Sequence, residues 1–205
     1  VFLQKPIAMT IGESQAILAA ARQSGVIMRT GTQERATENF IRAVECVRDG
    51  RLGKGGRVEV GLPDDPSEPN LPLVEPVPKD FDYNMWLGAA PEAPYSQLRT
   101  HRRGRKGGVN FARPGWLTIQ DYCLGMVTAW GAHHIDTAQR GLGEELGRGL
   151  VAVSATCEYP KRRLWNVHGV CDITWEYASG AIMKVGPTTK YPCGIRFIGE
   201  KGDWI

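Results

Sequence analysis

Apolar positions along this chain follow a helical period in its first part and an alternating period in its last. Residues 11–24 place Ser14, Ile17, Leu18 and Ala21 in a helical register rich in alanine, and Gly25 stands where a left-handed C-terminal cap belongs. Residues 37–48 repeat the pattern with Phe40, Ile41, Val44 and Val47 on one side and Gly50 just beyond. Short apolar runs at residues 1–3 and 26–29 flank the first helix. Strand, helix, strand with tight turns predicts parallel strands joined by a right-handed crossover.

From residue 150 onward the period becomes two. Residues 150–158 and 170–177 alternate, residues 181–185 follow a Ser179-Gly180 turn, and residues 195–198 follow Pro192-Cys193-Gly194. Hairpin-connected strands of this kind predict a mostly antiparallel open sheet with helices on one face. Residues 58–62 add a further strand, and residues 195–205 remain strand-like. Between the two regimes, residues 64–78 (DDPSEPNLPLVEPVP) are proline and acid, which excludes regular helix or central strand and predicts an extended surface excursion. Residues 81–88 (FDYNMWLG) return to aromatic density and are expected to anchor that excursion to the core.

The densest chemistry lies at residues 121–136, DYCLGMVTAWGAHHID. With a helix start at Gly131 and an end near Arg140, His133 shares a face with Asp136 and Thr137, while His134 points roughly a quarter turn away. A histidine transfers protons near neutrality, and a carboxylate one turn away orients its ring or raises its basicity.

Composition narrows the field. The chain has 205 residues, 42% hydrophobic and 23% charged, as expected of a globular protein. A formal charge of +3 is too small to argue for nucleic acid, and the basic excess collects in residues 98–106, LRTHRRGRK, a glycine-containing run without aromatic interleaving. Five cysteines at irregular intervals, without a Cys-x-x-Cys pair, fit a reduced compartment better than a disulfide or zinc framework. No apolar run approaches the roughly 20 residues of a membrane helix.

Gln4-Lys5-Pro6 at one strand end, Gly31-Thr32-Gln33 at the next, Trp86-Leu87-Gly88, the stretch from Gly125 to Asp136 and the closing GIRFIGEKG closely resemble the Gfo/Idh/MocA family of oxidoreductases. The resemblance runs in order along essentially the whole chain. It implies the C-terminal part of an NAD(P)-binding Rossmann domain over residues 1–32. A substrate and oligomerisation domain, mostly antiparallel and incomplete at its C-terminus, follows over residues 33–205. In that family a Glu-Lys-Pro motif comes after a glycine-rich phosphate turn, and this chain has no Gly-x-Gly-x-x-Gly. It is therefore expected to be a fragment of a protein whose intact form is a cytoplasmic enzyme, an upstream leader being left open.

By the same resemblance, NAD or NADP is the cofactor, and a sugar, cyclitol or related polyol is the small-molecule partner. No nucleic acid, membrane or metal is implied, and the sheet is expected to form a homo-oligomer. Lys5 would be the family's active-site lysine and His133 its general base or substrate ligand. Gln4, Lys5, Pro6 and Gln33 would face the cofactor, and Arg35, Tyr122 and His134 the substrate. Asp136 matches an acid of structural character. Three positions depart from the pattern: Gln4 replaces Glu, Cys123-Leu124-Gly125 replaces three glycines, and Ala129 stands where Asp is usual. Losing that Asp leaves any longer proton relay to Tyr122, His134 or His168.

The leading reading is hydride transfer with Lys5 or His133 taking the hydroxyl proton. A close variant is glycoside cleavage through transient oxidation with no net redox. A noncatalytic sugar or nucleotide binder is a different class, motivated by Gln4 and Ala129. A third class is a hydrolytic metal site built from His133, His134, Asp136 and His168, weakened because adjacent histidines diverge on a helix.

Overall fold

A computed structural model describes residues 1–53, 55–65, 73–100, 115–161 and 164–204. In chain order the elements are β1 (Phe2–Leu3), α1 (Ile11–Ser24), β2 (Arg29–Thr30), α2 (Glu38–Arg48), β3 (Gly55–Leu62), α3 (Tyr83–Leu87), α4 (Gly125–Ala129), α5 (Gly131–Gly147), β4 (Leu150–Cys157), β5 (Cys171–Tyr177), β6 (Ile182–Pro187), β7 (Gly194–Gly199) and β8 (Gly202–Trp204). They fall into two compact units. One holds residues 1–64, 126–158 and 170–205, the other residues 65–125 and 159–169.

The first unit opens with the expected strand–helix–strand. Thr10 and Glu13 form a reciprocal capping box at the start of α1, and Gly25 closes it at φ 66°. β1 and β2 pair in parallel, Phe2 with Arg29 and Leu3 with Thr30. The second strand is shorter and later than the apolar run suggests. Only Arg29–Thr30 pairs, because β1 offers two rungs, and Ile27 is 88% exposed.

The sheet of this unit has six strands in the order β4-β5-β6-β3-β7-β8. Every neighbouring pair is antiparallel except β3 with β6, so the expected mostly antiparallel architecture is what forms. Alternation then sorts the side chains. Val58 and Val60 on β3, Met183 and Val185 on β6, and Ile195 and Phe197 on β7 are buried in one core with Ala138 and Leu142 of α5 and Ala43 of α2. Burying each such side chain contributes about 1.5–3 kcal/mol, which holds the helices to the sheet. Between Val58 and Val60, Glu59 is buried and bridged by Arg57 (3.0 Å) and Arg196 (3.5 Å).

Helix α5 runs further than expected. Gly141 stays helical because Phe197 occupies the space of a side chain: a Cβ there would lie 2.5 Å from two ring atoms. The break falls at Gly143, at φ 67° and ψ −173°. A second departure concerns the cysteines. Cys157 and Cys171 face each other across β4 and β5, with Cα atoms 4.2 Å apart, and form a disulfide. The expectation of wholly reduced cysteines does not hold for this pair. The partners are set by strand register, which irregular spacing along the chain does not reveal.

The second unit is built on aromatic contacts. Tyr83 stacks on Trp86 at 5.9 Å, Trp86 meets Tyr122 at 4.9 Å, and Tyr95 stands edge-on to Tyr83 and Phe81. A small core of Leu98, Ile119 and Trp165 lies in the same unit, with the Trp165 indole N–H donating to the Leu98 carbonyl at 2.8 Å. Of the proline-rich excursion, residues 66–72 lie outside the described residues, and residues 73–78 form neither helix nor strand. Glu75 ties it down, its carboxylate accepting from the Gln97 backbone (2.7 Å) and side chain (3.0 Å). The basic run beyond Thr100 likewise lies outside the described residues.

Candidate active site

The carboxyl ends of β1 and β2 carry the first half of the candidate site, within the first unit. Gln4, Lys5 and Pro6 follow β1, and the Lys5–Pro6 peptide is cis. Gly31 follows β2, and the Gln4 side chain lies where a side chain on it would be, with Oε1 2.4 Å from an added Cβ. A side chain at residue 31 would have to displace the Gln4 amide. A 3-10 turn, Gln33–Ala36, then leads through Thr37 into α2.

The second half comes from α4 and α5. Ala129 ends α4, and its carbonyl oxygen accepts from Lys5 Nζ at 2.9 Å. One turn later His133 is buried, with Nε2 3.5 Å from Gln33 Nε2. Gln4, Lys5, Gln33 and His133 are thus drawn into one neighbourhood by two strand ends and one helix start. Burial pushes the His133 pKa below its ordinary value, and Lys5 adds to that; Glu34 and Asp136 pull partly the other way. The imidazole is neutral near pH 7, the state a general base requires.

Asp136 is on the same face of α5, and Arg35 forks onto it, with Nε and Nη2 each 2.6 Å from a carboxylate oxygen. That hydrogen-bonded pairing holds the guanidinium charge firmly. Arg140 in turn donates from Nη1 to the Arg35 carbonyl at 3.1 Å. Arg35, expected at the substrate, is paired with Asp136 in this structure. His134 is turned into packing, its ring 5.6 Å from Phe40 and 6.2 Å from Trp130. Burial pushes its pKa down as well. Tyr122 belongs to the second unit, where it packs on Trp86, and burial raises its pKa with Arg99 opposing.

His168 also lies in the second unit. Its Nδ1 is 2.9 Å from the Gly169 carbonyl and 3.6 Å from Asp65, and its Nε2 is 3.1 Å from the Leu124 carbonyl. Gly125, at φ 75°, makes room for this pair: a Cβ there would sit 2.6 Å from Asp65 Oδ2 and 3.1 Å from His168 Nε2. Among the described residues no three His, Cys, Asp or Glu gather as a metal site. Two contacts were not read from the sequence. The Ala129 carbonyl leaves no side-chain signal, and Asp65 looked like one more acid in a solvated excursion.

Both buried histidines make stability depend on pH. Their folded-state pKa values lie below the unfolded value of 6.5, so the unfolded chain binds protons first as pH falls. Stability should be flat above about pH 6.5 and decline below it, levelling off once pH passes the folded-state values. His134→Leu should shallow that decline in a series of melting curves; an unchanged acid slope would contradict the assignment.

A family model for the oxidoreductase family, C-terminal alpha/beta domain, matches residues 68–191, more than half of the chain. No curated protein matches by sequence. Among solved structures, GenD2 from gentamicin A biosynthesis, in complex with NAD, superposes with a TM-score of 0.62 at 20% identity, covering 99% of this chain and 46% of that one. An aldose-aldose oxidoreductase from Caulobacter crescentus complexed with glycerol gives 0.64 at 19% identity, covering 99% and 48%. A putative myo-inositol dehydrogenase from Sinorhizobium meliloti 1021 gives 0.58 at 19% identity, covering 99% and 48%. The chain therefore spans about half the length of the structures it matches, and at these identities the likeness speaks for the fold. Among the described residues no helix is long and apolar enough to cross a membrane. With a family model over more than half its length, the chain belongs to the Gfo/Idh/MocA oxidoreductase family and carries that family's C-terminal α/β domain.

Proposed function

We propose that the intact protein is an NAD(P)-dependent oxidoreductase acting on a sugar, cyclitol or related polyol. The observation that carries this reading is the Lys5 ammonium at the carboxyl end of a parallel strand pair, near a buried, neutral His133. Residues 1–32 then act as part of the nucleotide domain and the rest as the substrate domain. The residues present fit the nicotinamide end of a dinucleotide: Gln4 across Gly31, the cis Lys5–Pro6 corner and Gln33 form a ledge of backbone and uncharged groups around one cation. They provide no glycine-rich turn for a pyrophosphate.

When bound, a nicotinamide supplies the hydride acceptor. The chain's own residues handle the alcohol. Lys5 Nζ donates a hydrogen bond to the reacting oxygen and stabilises negative charge developing there, and His133 takes the hydroxyl proton at Nε2 as the C–H bond breaks and a carbonyl forms. Gln33 holds the imidazole at Nε2 until the substrate hydroxyl displaces it there. Arg35 and Asp136 hold the turn that carries Gln33 against the helix that carries His133. Mixing the full-length protein, cofactor and a panel of polyols should produce reduced cofactor with at least one of them; sugar release without reduced cofactor would instead mark the redox-neutral glycoside cleavage. No response of either kind, with ligand bound, would favour a noncatalytic binder, the reading that Gln4 and Ala129 support.

We also propose self-association through the sheet. β4 is an edge strand, and Val151 and Val153 on it are 69% and 54% exposed. Replacing both by lysine should shift the sedimentation coefficient to that of a monomer. An unchanged coefficient would place the interface elsewhere.

A further inference from the structure

A second concave surface lies on the first unit, between the C-terminal ends of α2 and α5. It encloses about 510 Å³, and its lining includes four arginines, Arg35, Arg48, Arg140 and Arg148, against two carboxylates, Asp136 and Glu144. The charges are not evenly spent. Asp136 is neutralised by the fork from Arg35, and Arg140 is held on the Arg35 carbonyl. Arg48 and Arg148 are exposed, and neither has an ion-pair or hydrogen-bond partner among the described residues. Arg48 sits in the last turn of α2 and Arg148 just past α5, yet neither caps the terminal carbonyls beside it. The floor is open. At Gly143 a side chain would meet nothing within 4 Å, so a ligand can approach the backbone there.

We infer that this groove is a binding site for a compact polyanion, whose phosphate or carboxylate oxygens are forked by Arg48 and Arg148. Guanidinium groups present paired N–H donors that match such oxygens two at a time, and charge-assisted bonds of this kind are about twice as strong as neutral ones. The excess of positive charge in a concavity also concentrates anions before contact. Neutral sugars gain neither term. The site is separate from the Lys5 and His133 neighbourhood in the groups it uses, and it does not depend on the redox reading.

The test is calorimetric titration of the full-length protein with inorganic pyrophosphate, citrate and glucose, repeated on Arg48→Ala/Arg148→Ala and on Arg48→Gln/Arg148→Gln. Both positions are exposed, so circular dichroism and melting should match the unmodified protein. The expected result is saturable one-to-one binding of pyrophosphate or citrate, weakened at least about tenfold in both double variants, with no response to glucose. Pyrophosphate alone would identify a phosphate site, citrate alone a polycarboxylate site. No saturable binding of either anion, equal affinity in the double variants, or an equal response to glucose would overturn the proposal.

Discussion

Replacing Lys5 by methionine in the full-length protein should lower kcat by about a thousandfold while leaving dinucleotide binding within a few-fold of normal. Methionine keeps the length and apolar stem of the side chain and removes only the ammonium. In this structure that ammonium is held on the Ala129 carbonyl at 2.9 Å, one turn before His133. A charged donor aimed at the oxygen where negative charge develops in the transition state contributes about 10²–10³ in rate. If Lys5 merely tied β1 to α4, its loss would remove one hydrogen bond. The cost would be about 1 kcal/mol of stability with kcat unchanged. Lys5→Arg checks the role: arginine retains charge and donors but does not give up its proton, so partial activity in Lys5→Arg supports an electrostatic Lys5 with His133 as the base, and none would point to proton exchange by Lys5 itself.

The second large effect is structural. Gly61→Ala should destabilise the sheet by on the order of 3 kcal/mol, because overpacking a closed site costs about 1–3 kcal/mol and more when nothing flexible can move. A Cβ on Gly61 would lie 2.0 Å from the Pro192 carbonyl oxygen, 2.6 Å from its carbon and 2.7 Å from the Tyr191 oxygen, all backbone atoms. The strand cannot back away, since Val58 and Val60 are fully buried and β3 is paired on both sides. For a protein of this size that loss lowers Tm by about 6–12 °C. Gly12→Ala is the control, with its nearest neighbour 4.0 Å from the added carbon, and should cost nothing. Equal melting of Gly61→Ala and the unmodified protein would contradict the described packing of β3 against residues 191 and 192.

Local signals made much of the fold legible. Gly25 ends α1 at the residue where a positive φ is needed, and the alternation at residues 171–177 and 194–199 sorts core from surface without knowledge of the partner strands. What the chain hides is non-local. The parallel pairing of β3 with β6 joins strands more than a hundred residues apart, and the Cys157–Cys171 bond follows from a register that spacing does not encode. Gly141 illustrates the same limit. A glycine inside a helical pattern reads as a stop until Phe197 is seen to fill the space beside it.

The candidate site divides along similar lines. Lys5 and His133 stand out by residue type and by family likeness, and residue chemistry alone suggests that a histidine one turn from an acid is worth examining. That the acid is held by Arg35, with the lysine on a backbone carbonyl at Ala129, required coordinates. The Arg35–Asp136 pair and an acid that orients an imidazole look the same along the chain, since both place an acid three residues from a histidine.

The reaction proposed for the intact protein is hydride transfer from a carbinol carbon. Its most direct test is isotopic: full-length protein is incubated with cofactor and polyols deuterated at each carbinol carbon, and the cofactor is analysed by mass spectrometry. Deuterium appearing in the cofactor from one specific carbon, and disappearing in Lys5→Met, is the predicted result. Tight binding of polyol and cofactor with no deuterium transferred from any carbon would contradict it.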